Sequence, residues 1–406
     1  MARLQAPPGT FDVKPPAARR RTEVVQAARD LLEPAGYEPI ETPIFEATEV
    51  FGRTVGEATD IVEKQMFTFE DQGGRSLTLR PEGTAPVARA YVEGGMHKEP
   101  QPVKLWYVGP FFRQERAQRG RYRQFAQIGA EALGSEDPSI DAELILLLGE
   151  LLERAGARGL RLKLSSLGNP DTRRDYLDEL RTYLRAHEEN LSDDVRRRLD
   201  VNPLRAFDAD HAGTQEVMAG APRLLDRLAD DDAEHFARVR EYLDDAGLAY
   251  EIDPTLVRGL DYYTRTVFEF TSDELGAQSG VGGGGRYDLL VEQLGGPPTP
   301  GVGWAAGVER IVLASREEAG APAADVFVAL DGGDPRVAFT LVRRLRSAGR
   351  SAQMEQAGRS LKGQLKQAGR VHARAVAIVG AGGIRIRMEG DEREVPDVDA
   401  AIEALA

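Results

Sequence analysis

The chain contains no cysteine. Disulfides, thiolate nucleophiles, iron–sulfur clusters and cysteine-based zinc sites are thereby excluded. Histidine is scarce: His97, His187, His211, His235 and His372 are scattered and none pair at metal-ligand spacing, so no protein-bound metal is expected. Long apolar runs are missing as well. Stretches such as residues 144–148 fall far short of the ~20 residues that a membrane span needs. The N-terminal residues 1–8 carry no apolar signal-peptide core, and a cytoplasmic protein without membrane contact is expected. No glycine run closes on Gly-Lys-Ser/Thr, so there is no phosphate-binding loop. The run Ile378-Val379-Gly380-Ala381-Gly382-Gly383 invites a dinucleotide-fold reading, but Arg385 stands where the third glycine is required and no helical pattern follows. A nucleotide-using enzyme built from this chain must hold phosphates with arginines and strands.

What is present is a 406-residue chain, 41% hydrophobic and 29% charged. At roughly 150 residues per domain, two or three domains are expected. The net charge of −14 is unevenly spread. Residues 336–374 hold ten basic side chains and one acid, Glu355, a local +9 that leaves −23 elsewhere; residues 113–123 hold five arginines against Glu115. Basic patches on an acidic body fit a protein that takes a nucleic acid at chosen places and repels it elsewhere.

An apolar stripe of Val24, Val25, Ala28, Leu31 and Leu32 predicts a helix over 16–33, ended by Gly36 and followed by a proline-interrupted extended stretch. Two strand-like runs, 103–113 and 121–131, flank an arginine-rich tip and predict an antiparallel hairpin. Residues two or four apart on a strand share a face. Arg113 and Glu115 then point together, as do Gln127 and Glu131, and both pairs can face one pocket. A helix over 139–154 and a strand at 160–164 follow. Residues 169–250 read as a charged helical insertion. Strand character returns at 267–270, then a glycine-rich turn at 280–288. Beyond a linker at 320–324, strand and helix alternate (strands 326–330, 351–355 and 375–379; helices 337–348 and 360–369), predicting a separate α/β domain with a largely parallel sheet.

Four segments stand out: Gly36-Tyr37-Glu38-Pro39-Ile40-Glu41-Thr42-Pro43; Leu79-Arg80-Pro81-Glu82-Gly83-Thr84 with Phe112-Arg113-Gln114-Glu115 and residues 121–131; Arg258-Gly259-Leu260-Asp261-Tyr262-Tyr263 within 256–269; and Gly303-Trp304-Ala305-Ala306-Gly307-Val308-Glu309-Arg310. In this order they closely resemble the histidyl-tRNA synthetase family of class II aminoacyl-tRNA synthetases, over essentially the whole chain. The third segment is the specific one, since other class II synthetases do not carry it.

The resemblance implies an α+β fold: a class II catalytic core, 1–323, built on an antiparallel sheet flanked by helices, with the insertion at about 169–250, and an α/β anticodon-binding domain, 324–406. It implies ATP-dependent ligation of L-histidine to tRNA(His) through histidyl-adenylate, with ATP entering as its Mg2+ complex. By the family pattern, Glu82, Gly83, Thr84 and Gln127 hold the histidine α-amino end, and Glu131 and Tyr263, beside Tyr262, meet the imidazole. Arg258 lies at the histidine carboxylate and α-phosphate, and Arg113 and Arg258 are the catalytic cations. Arg113, Glu115 and Arg310 bind ATP, with Arg310 over the adenine. Arg116, Arg119, Arg121 and Arg123 meet the tRNA acceptor end. The first segment resembles the family's dimer element, implying a homodimer. Two departures stand out: Ala126 replaces a larger side chain and faces away from Gln127 and Glu131, predicting a packing change, and the end after Gly380 looks short, predicting a trimmed last hairpin. The alternative is a histidine-binding regulatory subunit of ATP phosphoribosyltransferase. Such paralogues lack the C-terminal domain and have eroded ATP and tRNA motifs, whereas Arg113, Arg310 and the basic 324–406 region are present here.

Overall fold

Six antiparallel strands form the centre of an eight-stranded sheet, with a short parallel strand added at each edge. The order across it is Glu38–Pro39, Val103–Phe112, Gln124–Leu133, Gly301–Gly307, Gly280–Arg286, Thr264–Ser272, Leu160–Ser166 and Glu251–Ile252. The structure is a computed structural model and describes all residues except 1–3, 56–60, 116–117, 119, 201, 257–261, 277–278, 316–322, 389–390 and 406. The chain divides into two compact units, Met1–Glu317 and Glu318–Ala406.

In the first unit one face of the sheet is covered by helices Ala17–Leu32, Pro138–Arg154, Asp230–Asp245 and Val308–Ala314. Their apolar stripes (Val24, Ala28 and Leu32; Leu144, Leu148 and Leu151; Phe236, Val239 and Leu243) close over Ile128, Phe268 and Trp304 in one core. Sequence punctuates these helices. Asp137 accepts from Ser139 N at 2.8 Å with Pro138 in the first turn, and Asn169 caps Pro170–Ala186 in the same way through Thr172 N at 2.9 Å. Gly36, at φ +84°, turns the chain after the first helix. On the other face Tyr107, Tyr262, Tyr263 and Tyr287 meet helix Thr84–Glu93 and residues of the 170–224 region. A separate three-stranded sheet, Phe45–Ala47, Ser76–Leu79 and Phe67–Glu70, leads into Glu82.

Three expectations are corrected. The glycine-rich 280–288 segment is not a turn but the strand Gly280–Arg286, paired on both sides. The 169–250 stretch is not wholly an insertion, because its last helix, Asp230–Asp245, completes the core helical layer through Phe236, Val239 and Leu243. The hairpin strands end at Phe112 and begin at Gln124, so Arg113, Glu115, Arg121 and Arg123 lie in the connection rather than on the strands.

The second unit has a five-stranded sheet ordered Ala352–Met354, Val326–Asp331, Ala375–Gly380, Ile384–Met388 and Asp391–Val395. The first three strands are parallel and the last two form an antiparallel hairpin. That last hairpin is built of two five-residue strands. Helices Pro335–Ser347 and Val398–Leu405 cover one face and Leu361–Arg370 the other. Among the described residues no helix is long and apolar enough to cross a membrane.

The glycine strand is tolerable only because its neighbours crowd it. A Cβ at Gly284 would overlap the Gly303 carbonyl oxygen and reach 2.6 Å from the Trp304 Cα, both backbone atoms. Gly284→Ala should cost about 3 kcal/mol or more, the upper end for overpacking. Gly369→Ala, in a helix with nothing within 4 Å of the added methyl, should gain about 0.5–1 kcal/mol. Denaturant midpoints of the two variants would check both signs.

Candidate active site

On the sheet face opposite the helical layer lies a cavity of about 580 Å³. The strands Gln124–Leu133, Gly301–Gly307 and Gly280–Arg286 contribute to its lining, together with the Thr84–Glu93 helix start, Tyr262–Tyr263 and the 113–122 connection. Glycines 280, 282 and 283 give that lining no side chains of their own. Ten of the expected site residues line this space: Glu82, Gly83, Thr84, Arg113, Glu115, Arg121, Gln127, Tyr262, Tyr263 and Arg310. Glu131 stands behind the lining. Arg123 stands apart, its guanidinium donating to Pro8 O at 3.3 Å. Arg258, Arg116 and Arg119 lie outside the described residues.

Glu131 is 0% exposed. A carboxylate taken out of water must find donors, and three hydroxyls supply them: Thr84 Oγ1 and Tyr107 OH donate to Oε1 at 2.9 and 3.2 Å, and Tyr287 OH to Oε2 at 2.6 Å. Strand register makes the room. Glu131 sits opposite Gly303 and Tyr107 opposite Gly129; a Cβ at Gly303 would overlap the Glu131 carboxylate, and one at Gly129 or Gly83 the Tyr107 ring. Burial pushes the Glu131 carboxyl up to about 8, against the pull of these hydroxyls. It drives the Tyr107 and Tyr287 hydroxyls upward too, reinforced by the neighbouring Glu131.

Glu82 first serves the backbone. Its two oxygens accept from Thr84 N at 2.7 Å and Ala85 N at 3.0 Å, capping the Thr84–Glu93 helix, while Tyr262 OH approaches at 3.5 Å. Burial raises its carboxyl pKa and these N–H groups restrain the rise. The approach to Glu82 is fixed by Arg80, which donates to Pro110 O and Thr42 O and stacks on Phe111. Gln127 Oε1 is a buried acceptor with no hydrogen-bond partner.

The cations form a second neighbourhood. Arg113 Nε donates to Pro81 O at 2.9 Å, its guanidinium lies over Phe125, and it faces Glu115 at 3.7 Å; Arg121 faces the same carboxylate at 3.5 Å. Arg310 donates through Nε to Gly280 O, the first residue of the glycine strand. Burial lowers the pKa of Arg113 and of Arg310, the latter further through Arg121. Arg113 and Glu115 thus share the cavity as expected, though from the loop after the strand and not from its face. Gln127 and Glu131 do share a strand face, one reaching the cavity and one behind it.

Tyr107, Tyr287, Phe125, Glu269 and Glu309 also stand at or beside the site, though their segments assign them no role. Tyr107 faces Gly129 across the hairpin, a pairing that only the strand register reveals. Glu309 ties the layers together, accepting from Arg21 and from Ala126 N at 3.0 and 3.1 Å. Ala126 does face away from Glu131, lining a separate hollow of about 300 Å³ with Phe11, Arg21 and Glu309. Among the described residues no three His, Asp or Glu side chains are grouped to hold a metal.

The model of the family described as histidyl-tRNA synthetase matches residues 9–311. A histidine–tRNA ligase of Desulfitobacterium hafniense is 47% identical over 93% of this chain and 90% of its own. One from Desulforudis audaxviator is 48% identical over 98% and 95%. The crystal structure of the apo Staphylococcus aureus histidyl-tRNA synthetase superposes with a TM-score of 0.82 at 34% identity, covering 99% of this chain and 100% of that one. The chain belongs to the histidyl-tRNA synthetase family.

Because Glu131 keeps its proton to about pH 8 in the folded chain against 4.5 for the free group, folding retains a proton between those values. Stability from this group is therefore complete below 4.5 and drains away as pH rises through 8. Glu131→Gln removes that titration while keeping the shape. Without ligands, its Tm relative to the native chain should climb from pH 5 to about pH 8 and level off above that. A constant difference would mean that Glu131 is ionised throughout.

Proposed function

We propose that this chain is a class II histidine–tRNA ligase that activates L-histidine with ATP and transfers it to tRNA(His). The observation that carries the reading is that one cavity joins an acceptor-rich region to a cation-rich one. Glu82, the unpaired Gln127 Oε1 and the Glu131 carboxyl suit the ammonium and ring N–H of histidine. Arg113, Arg121 and Arg310 suit a polyphosphate, since guanidinium forks match phosphate oxygens two at a time. Arg113 lies between the regions, with Glu82 and Glu115 both acting on it. The glycine strand leaves space for a flat base.

In the first step a carboxylate oxygen of histidine forms a bond to the α-phosphorus of ATP, and the bond from that phosphorus to the bridging oxygen of pyrophosphate breaks. Arg113 and Arg258 hold the charge that builds there. ATP arrives with Mg2+, for which the cavity carboxylates Glu115 and Glu269 are suitable oxygens. The histidine ammonium rests on Glu82, Thr84 and Gln127, and its imidazole on Glu131 and Tyr263. In the second step the terminal ribose hydroxyl of tRNA forms an ester with the histidyl carbonyl and AMP leaves. No side chain becomes covalently attached, so catalysis is positioning plus charge stabilisation.

Residues 1–323 carry both steps and residues 324–406 hold the anticodon end. Arg116, Arg119, Arg121 and Arg123 meet the acceptor end through phosphates, which position the tRNA without selecting it. A cytoplasmic homodimer is the working form, and the exposed Ile44, Phe45 and Phe69 beside the first segment offer an apolar face for the second copy.

Pyrophosphate exchange with each of the twenty amino acids tests the first step. Exchange should occur with histidine, without tRNA, and not with the other nineteen. Equal exchange with several amino acids, or none with histidine, would sink the assignment.

Removing residues 324–406 should separate the two steps. The +9 run lies in that part, and phosphate contacts release counterions, giving a log–log salt slope of about −0.7 to −0.9 per phosphate engaged. The shortened chain should lose most of its tRNA affinity and salt slope yet keep histidine-dependent exchange. If it stayed folded and dimeric but lost exchange, the C-terminal unit would be part of the active site.

A further inference from the structure

On the helical side of the sheet, facing away from the cavity, lies an ionic network with no part in the chemistry above. Arg286, the last residue of the glycine strand, is 0% exposed, and so is Asp141 on helix Pro138–Arg154. The Arg286 fork grips Asp141 with two nitrogens, Nε at 3.2 Å from Oδ1 and Nη2 on Oδ2. Its Nη1 donates to Ser135 O at 2.9 Å and to Asp288 Oδ1 at 3.2 Å. Asp141 Oδ1 also meets His235 Nε2 at 3.3 Å, from helix Asp230–Asp245. Asp288 passes the restraint on, accepting from Thr264 Oγ1 at 3.2 Å and from Gly301 N at 3.3 Å.

A buried ion pair is weak support for stability, since well-packed apolar side chains often fill such a site with no loss. What the charges add here is direction. Consecutive residues at a strand end point to opposite faces, so the residue after Arg286 enters the cavity side: it is Tyr287, whose hydroxyl makes the shortest of the three hydrogen bonds to Glu131, at 2.6 Å. Thr264, held by Asp288, directly follows Tyr263. The strand between these anchors is almost all glycine and has few side chains with which to fix its own position.

We infer that Arg286, clamped by Asp141, is a positioning residue for the amino-acid pocket, setting Tyr287 against Glu131 and, through Asp288 and Thr264, holding Tyr263. The inference rests on the histidine-activation reading and adds to it how the pocket wall is aimed. Substrate is not touched by Arg286, so its loss acts on histidine and spares ATP.

The experiment is histidine-dependent pyrophosphate exchange on the full-length chain and on Arg286→Lys, which keeps the charge and loses the fork. KM for histidine should rise roughly 10- to 100-fold, the scale of a misplaced contact. KM for ATP should stay within about twofold, because uniform damage to the site would move both constants. Tyr287→Phe alone should also raise KM for histidine, and adding Arg286→Lys to it should raise it by less than the product of the two single effects. A lower Tm with both KM values unchanged, or both raised together, would reduce Arg286 to a structural residue and overturn the inference. Should Arg286→Lys fail to fold, Asp288→Asn leaves the Asp141 clamp intact and is read in the same way: a selective rise for histidine supports the inference and unchanged constants overturn it. Absence of exchange in the unaltered chain would instead sink the ligase reading itself.

Discussion

A carboxyl group at zero exposure in the middle of a sheet cannot exist without a surrounding that is built for it, and Glu131 sets that demand on the first unit. Three hydroxyls must converge from three places in the chain: the helix that starts at Thr84, the hairpin strand that bears Tyr107, and the end of the glycine strand before Tyr287. Three glycines must leave out their side chains for the ring and the carboxylate to fit: Gly83, Gly129 and Gly303. The register of four antiparallel strands follows from the same requirement, because a one-residue slip would turn Glu131 into the apolar helical layer. The site and the sheet are therefore one construction problem, and the layer of Leu, Val and Phe behind the sheet holds the register that Glu131 needs.

This interdependence explains what the sequence made legible. Arg113, Gln127, Tyr262, Tyr263 and Arg310 stand in motifs whose order alone marks the family, and all of them line one cavity. Helix Ala17–Leu32 was readable from its apolar stripe, because that local signal and burial agree there. Glu131 was found as a residue, but its partners were not. Tyr107 and Tyr287 meet it only through strand pairing, and pairing is non-local information. The part played by Gly303 in that encounter was equally hidden, since closeness to a carboxylate across two strands leaves no mark in its own segment.

The errors have physical causes of the same kind. Glycine is a poor strand former, so the 280–288 run read as a turn; it is a strand because both neighbours pair with it and need its missing side chains. The glycines at 380–383 read correctly as lacking a nucleotide-binding helix, since strand Ala375–Gly380 passes through them into the hairpin strand Ile384–Met388. Helix Asp230–Asp245 fell within the stretch read as an insertion because that stretch is helical and highly charged, with acids opening this helix. Those acids sit in its first turn, where the helix dipole favours them, and the stripe of Phe236, Val239 and Leu243 beneath them carries the packing.

The cation-rich region obeys a different rule from the buried carboxyl. Arg113 and Arg121 both face Glu115 at distances too long for tight hydrogen bonds, 3.7 and 3.5 Å. Neither arginine is locked to that carboxylate by a tight pair, while Arg113 is held from its other side by Pro81 O and Phe125. Under the proposed reading, a triphosphate entering the cavity competes with one shared carboxylate rather than with two tight pairs. Glu131 is the opposite case, held rigidly by three hydroxyls yet with acceptor capacity to spare, since the two oxygens of a carboxylate offer about four lone-pair sites. Under the proposed reading, specificity for the amino acid and capture of the nucleotide are served by two arrangements in one cavity: fixed donors around a buried acceptor at one end, and arginines that share one carboxylate at the other.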